Sequence, residues 1–414
     1  MAPTKFPTEP ASFQVAIVCA LPREADAVTL LFDEIWTKTH DDGQGSDRNT
    51  YATGRIAQHK VVLATLPGMG TINAARSTVK LTAKYTGLRL ALLVGICGGS
   101  PRITNTNAFL GDVVMSKSIL QYDFGKQYPY HFVVRRSVED SLGRPNKEIR
   151  SLLAAFETEL VDQRLKRAAT GHLGHLQNIA KKDQRYADYQ YPGAAKDKLY
   201  PSKYHHKHRR SCSECTNDPN AICNAATKSS CIELGCDPSQ LVARRRTANP
   251  PAGADFVPQL FIGRVGSGNS VVKSALHRDR IAADHGIIAF EIEGAGVWDH
   301  VPCIVVKGIC DYADSHKNKD WQDFASATAA SVAKAIVERY ASYKRYVLVL
   351  SYGTKLTWVD FRGINKRSVA GNSAGGGAWV NQGDVTGNAT SMSGPGQVPG
   401  EHDPRCPSRF PEKW

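Results

Sequence analysis

The sequence predicts an α/β fold in which a mixed central sheet is flanked by helices in a three-layer sandwich. Three observations carry this. Short continuous apolar runs at 13–20, 90–96 and 303–306 have the length and branched content of buried strands. Segments with helical spacing alternate with them. Several of the runs end in glycines or an acid, which is how a sheet of this class builds a crevice at its carboxyl edge.

Taken in order, residues 1–12 form a polar, Pro-containing leader, and 13–343 form the α/β domain. Residues 13–20 read as the first strand. Pro22 and Glu24 open a helix with Ala25, Val28, Leu31 and Phe32 on one side. A turn-rich loop at 41–49 precedes strands at 50–54 and 60–66. Pro67-Gly68-Met69-Gly70 then turns the chain into a small-residue helix, 72–85. The strand at 90–96 exits through Cys97-Gly98-Gly99, and 111–116 is a further strand. Residues 146–170 read as one helix. From about 171 to 255 the chain is polar, basic and rich in Cys and Tyr, with no steady period, as expected of an insertion. The α/β pattern resumes at Gln259 and closes with an amphipathic helix at 320–343. Residues 344–362 are expected to form a hairpin turning at Gly353. Residues 363–414 hold too few aliphatic side chains to offset their ordering entropy, so a disordered tail is expected.

The 414 residues carry a net charge of +13. Between 161 and 250 there are 16 Lys and Arg against 8 Asp and Glu, so +8 of it belongs to the insertion and the helix before it. That stretch lacks interleaved aromatics for stacking on bases. A solvated basic loop is expected, and a nucleic-acid partner is not. No apolar run approaches the roughly 18–20 residues that span a bilayer. The apolar segment 15–21 is short and followed at once by Arg23 and Glu24, unlike a signal peptide, so a cytoplasmic location is expected.

The chemistry-bearing residues sit at the strand exits. Glu24, in the first turn of a helix after the first strand, suits a general base for water, or simply an acid favoured by the helix dipole. The glycine turn at 67–70 and the Gly98-Gly99 exit let backbone amides approach a ligand. Glu291 and Glu293 are two apart, so on a strand they share a face. Asp311 ends the last apolar run.

Gly111-Asp112-Val113-Val114, Phe290-Glu291-Ile292-Glu293-Gly294-Ala295 and Ile309-Cys310-Asp311-Tyr312-Ala313-Asp314, together with the two Gly-rich exits, resemble the nucleoside phosphorylase and nucleosidase superfamily. The resemblance covers about 13–123 and 259–340. The wording of 308–330 looks like the fungal branch, where this domain often heads larger receptor-like proteins. It implies cleavage of a purine N-glycosidic bond in a homo-oligomer. By the same resemblance Asp311 is the acid beside purine N7, and Glu293 holds the ribose 2′- and 3′-hydroxyls. Glu291 and Ile292 line the sugar and base pocket, with Gly98 and Gly99 at the Gly-rich exit. Val271 and Val272 pack the base, and Glu24 activates the attacking water.

Two departures bear on the acceptor. Ile96 stands where the family offers a Ser or Thr, and Leu93 where phosphorylases place an Arg; Arg23 is out of register for that task. Both changes remove anion ligands. Water is therefore expected rather than phosphate, with phosphorolysis and binding without turnover as the alternatives.

No catalytic metal or cofactor is implied. The ten cysteines divide three ways. Cys19, Cys97, Cys303 and Cys310 lie in strand-like runs as small core residues, and Cys406 is in the tail. Five fall between Cys212 and Cys236, after His205, His206 and His208. A Cys-x-x-Cys with further Cys and His fits either a structural zinc loop or reduced thiols.

Overall fold

The computed structural model describes residues 9–36, 50–129, 131–135, 137, 142–185, 187–209, 212–218, 221–246 and 256–345, with the side chains of 341–345 excepted. The loop at 41–49, the hairpin at 344–362 beyond 345, and the tail at 363–414 lie outside the described residues.

Among the described residues, nine strands build one mixed sheet: β1 (Val15–Cys19), β2 (Glu34–Trp36), β3 (Thr50–Ile56), β4 (His59–Thr65), β5 (Leu90–Gly99), β8 (Val113–Gln121), β11 (Leu260–Ser267), β12 (Ile287–Glu291) and β13 (Cys303–Asp311). Two short hairpins stand outside it, β6–β7 (Arg102–Ile103, Thr106–Asn107) and β9–β10 (Gly125–Gln127, Phe132–Val134). The order is β12-β11-β8-β13-β5-β1-β4-β3-β2, and β12 also pairs with the end of β5. Through that pairing, Ala289 to Gly99 and Phe290 to Gly98, one half of the sheet curls round to meet itself. Strands β1, β5 and β13 run parallel, so their carboxyl ends share one edge.

Side-chain alternation explains why these strands read as unbroken apolar runs. Val15, Ile17 and Cys19 of β1 enter the core on one face, and Ala16, Val18 and Ala20 face the core on the other. In β13, Ile304 and Val306 oppose Cys303 and Val305 in the same way. Both faces are buried, so neither can carry polar residues cheaply. Helices α1 (Pro22–Thr29), α3 (Lys147–Phe156), α4 (Glu159–Lys182) and α8 (Gln322–Arg345) contribute to the first core. Helices α2 (Thr71–Lys84) and α7 (Gly294–Trp298) contribute to the second. A short α5 (Ser213–Asn217) lies in the insertion, and α6 (Ala275–His285) follows it.

The single helix expected at 146–170 is two. Asn146 caps α3 by accepting a hydrogen bond from the Ile149 amide at 2.9 Å. Thr158 then breaks the run: its backbone is extended and its hydroxyl donates to the Ala155 carbonyl at the end of α3. Beyond it α4 continues to Lys182, past the expected start of the insertion at 171. Leu173, Leu176 and Ala180 keep the helical spacing and are buried in the first core.

Candidate active site

A cavity of about 350 Å³ opens at the carboxyl edge of β1, β5 and β13, large enough for a nucleoside-sized ligand. Glu24, Ile96, Gly98, Glu291, Glu293 and Asp311 all border it. Residues nearly 300 positions apart meet there because parallel strands end side by side.

Glu24 is 2 % exposed. Pro22 starts α1 and Glu24 falls in its first turn, pointing back into the strand exits. Its Oε2 accepts hydrogen bonds from the Ala20 and Leu21 amides at 3.0 and 2.9 Å. Its Oε1 accepts one from the Ile96 amide at 2.9 Å. The carboxylate fits because residue 95 is glycine: a Cβ there would overlap it. Burial pushes the Glu24 carboxyl above the usual range; the charge of Lys307 works against this and that of Glu293 adds to it.

Glu291 and Glu293 do not share a strand face. β12 ends at Glu291, and Glu293 is the residue preceding α7. Glu291 accepts from the Glu293 amide at 2.9 Å and from the Gly294 amide with both oxygens, at 2.8 and 3.0 Å. It satisfies amides left open where the chain enters α7 while also forming pocket wall. Burial raises its pKa, with Lys307 opposing.

Lys307 is the residue that sequence reasoning passed over. It is fully buried on β13, and its Nζ lies 3.1 Å from Glu293 Oε2. Burial alone would lower its pKa. The surrounding Glu293, Glu24 and Glu291 outweigh that and hold the ammonium above its ordinary pKa. The available signal was a lysine inside an otherwise apolar strand, Cys-Ile-Val-Val-Lys.

Asp311 ends β13. Its Oδ1 accepts from the Ala313 amide at 2.8 Å, and its Oδ2 pairs with Lys317 Nζ at 2.9 Å. Ala313 has φ 50°, a left-handed conformation that costs a non-glycine residue roughly 1–3 kcal/mol and concentrates at functional sites. Gly98 makes room opposite, since a Cβ there would come within 2.9 Å of Asp311 Oδ1.

Ile292, Val271 and Val272 also border the cavity; Val272 is buried and Val271 is half exposed at the mouth. Gly99 does not line it. It pairs with Ala289 where the sheet closes, and a Cβ would strike Ile309. At the glycine turn Met69 lines the cavity, but the Thr71 amide at the head of α2 already donates to Asn269 Oδ1 at 3.2 Å. Leu93 is buried in the core, and Arg23 is paired with Asp323 at 2.5 Å. Among the described residues no arginine lines the cavity; its lining cations are Lys273, Lys317 and Lys319.

Away from this cavity, His208, Cys212, Cys215 and Cys223 bring their donor atoms together in the insertion, and His206 and Cys236 meet His316 from the core. His205 joins neither group, and His316 was not legible as a partner because it lies 80 residues further on.

The sequence profile of the Phosphorylase superfamily matches residues 14–178. A nucleotide-binding leucine-rich repeat (NLR)-like protein of Hyaloscypha variabilis is 30% identical over 340 residues, 79% of this chain. The chain spans 29% of that relative's length. A 5′-methylthioadenosine/S-adenosylhomocysteine nucleosidase of Mycobacterium bovis is 20% identical over 329 residues, 78% of this chain and 95% of that protein. Among solved structures, a Helicobacter pylori nucleosidase of the same name aligns at TM-score 0.46 and 14% identity, covering 80% of this chain and 99% of the other.

Proposed function

We propose that this chain, whose residues 14–178 match the profile of the Phosphorylase superfamily, cleaves the N-glycosidic bond of a purine nucleoside or related ribosyl compound, with water as acceptor. The observation that carries this reading is the meeting of Glu24, Glu293 and Asp311 at one buried cavity. Bond cleavage leaves positive charge on the sugar and negative charge on the base, so it calls for carboxylates on one side and a proton on the other.

In this reading the C1′–N9 bond breaks and the oxygen of water bonds to C1′. Glu24 takes the proton that water loses, and burial, by raising its pKa, makes its carboxylate a stronger base. Glu293, steadied by Lys307, receives the ribose hydroxyls and faces the developing sugar cation. Asp311 takes a proton from solvent when its pair with Lys317 opens and passes it to N7 of the departing base, and the proton on Glu24 returns to solvent to complete the cycle. In the ligand-free pocket its Oδ2 is held by Lys317, so that ion pair must rearrange as the base enters. The Lys317 side chain is 20% exposed, against 4% for Asp311. Ile96 at the cavity wall and Leu93 in the core, standing where the resemblance implies anion ligands, support water over phosphate.

Inosine, adenosine, methylthioadenosine and purine nucleotides, each incubated with and without phosphate, test the proposal. Free base in phosphate-free buffer is expected; base released only with phosphate would replace hydrolysis by phosphorolysis. A second reading, a nucleoside-binding sensor, is favoured by the closed Asp311–Lys317 pair and by the similarity to an NLR-like protein. Asp311→Asn separates the two, abolishing turnover in an enzyme while a sensor keeps its binding.

A further inference from the structure

We propose that the insertion binds two zinc ions, one held by His208, Cys212, Cys215 and Cys223, the other by His206, Cys231, Cys236 and His316, and that the second clamps the loop carrying Lys317 beside the pocket. The ligand chemistry is that of structural zinc, thiolate and imidazole in sets of four.

The distances fit. Tetrahedral bonds of ~2.3 Å to sulfur and ~2.1 Å to nitrogen place neighbouring S and N ligands about 3.6 Å apart. In the first group His208 Nδ1 lies 3.4 Å from Cys223 Sγ and 3.9 Å from Cys215 Sγ. All four donor atoms, Cys212 included, fall within 4.8 Å of one another. In the second, His206 Nδ1 lies 3.6 Å from both Cys231 Sγ and Cys236 Sγ.

The surrounding contacts orient the ligands. His206 Nε2 lies 2.8 Å from the Ser229 carbonyl, which can only accept. The proton therefore sits on Nε2 and leaves Nδ1 free to bind a metal, the usual outer support of a ligating histidine. His316 is buried, and its Nε2 has no hydrogen-bond partner among the described residues. The Tyr200 ring stacks on it at 4.2 Å.

The insertion also needs a staple. Among its described residues, its own core has six buried side chains, and three of them are Cys215, Cys223 and Cys236. Tyr200, Ala226 and Leu234 alone bury too little apolar surface to hold so small a unit, a deficit that metals commonly make up.

The second group joins this unit to the catalytic edge. His316 belongs to the segment after β13, between Asp314 and Lys317, and the His206 amide donates to Ser315 Oγ at 3.0 Å. A metal on His316 would fix that segment and hence the partner of Asp311.

The test uses the full chain, purified anaerobically under reducing conditions, with elemental analysis and native mass spectrometry. Two zinc ions per chain are expected, with Cys406→Ser retaining both. Cys223→Ser and Cys236→Ser should each retain one. Cobalt reconstitution of the metal-stripped wild type should give tetrahedral thiolate–cobalt spectra, a readout that requires no variant to fold. Hydrogen exchange at 314–317 should quicken in Cys236→Ser and stay unchanged in Cys223→Ser. Absence of zinc after reconstitution with zinc alone, or disulfides between these cysteines in the native chain, overturns the sites. Equal exchange in the two variants overturns the clamp. Neither readout uses turnover, so the outcome is separate from that of the proposed glycosidase activity.

Discussion

Lys307 sits beneath the pocket against Glu293, with Glu24 and Glu291 also acting on it, and a buried cation so placed keeps three carboxylates tolerable. Removing one partner of a buried ion pair strands the other. Lys307→Met should therefore lower stability by roughly 3–5 kcal/mol, read from the denaturant midpoint at constant slope. A midpoint within experimental error of wild type would refute that role. Glu24 makes a second expectation. Its folded pKa is raised, and a base works only when ionised, so kcat/KM should fall as pH drops through that raised value. The acid limb then lies above the ordinary carboxylate range and is absent in Glu24→Gln, whose kcat should be about 10²–10⁴-fold lower. Glu24, Glu293 and Asp311 were legible because each terminates or follows an apolar run. Lys307 and Lys317 were not, because their meaning lies in partners brought together by the fold.

The strand β5 is the element on which the site depends. Its apolar half is core, and its glycine half gives way to side chains from α1 and β13. Gly95→Ala should cost activity far more than stability, since the added methyl displaces the Glu24 carboxylate; paired activity assays and thermal melts separate the two. Helix α4 shows how an element can hide. Residues 171–180 hold two glycines and two histidines and look like the start of a loop, yet Leu173 and Leu176 continue the buried stripe. Leu176→Ala should cost about 2–5 kcal/mol, as for a core leucine, rather than the near-zero effect of an insertion residue. Glu291 and Glu293 were read as one face of a strand because period-two spacing says nothing of where a strand stops; here β12 stops at Glu291 and α7 begins at Gly294.

At the scale of the molecule, the alternation of buried strands and helices announced an α/β sheet. The closure of β12 onto β5 was not announced, because it depends on backbone pairing at Ala289 and Phe290 and not on side-chain pattern. The insertion's Cys and His residues read as either a zinc loop or reduced thiols, and they gather into two groups, one of them completed by His316 from outside the insertion. Among the described residues no helix is long and apolar enough to cross a membrane. On the proposed reading, two carboxylates of the site serve sugar and water and a third serves the base, an arrangement suited to hydrolysis. The most direct measurement is incubation of purine nucleosides and methylthioadenosine in heavy-oxygen water without phosphate, followed by mass analysis of both products. Free base, with heavy oxygen in the anomeric hydroxyl of the released sugar, is the result this account predicts. No base from any substrate, or base only once phosphate is added, would contradict it.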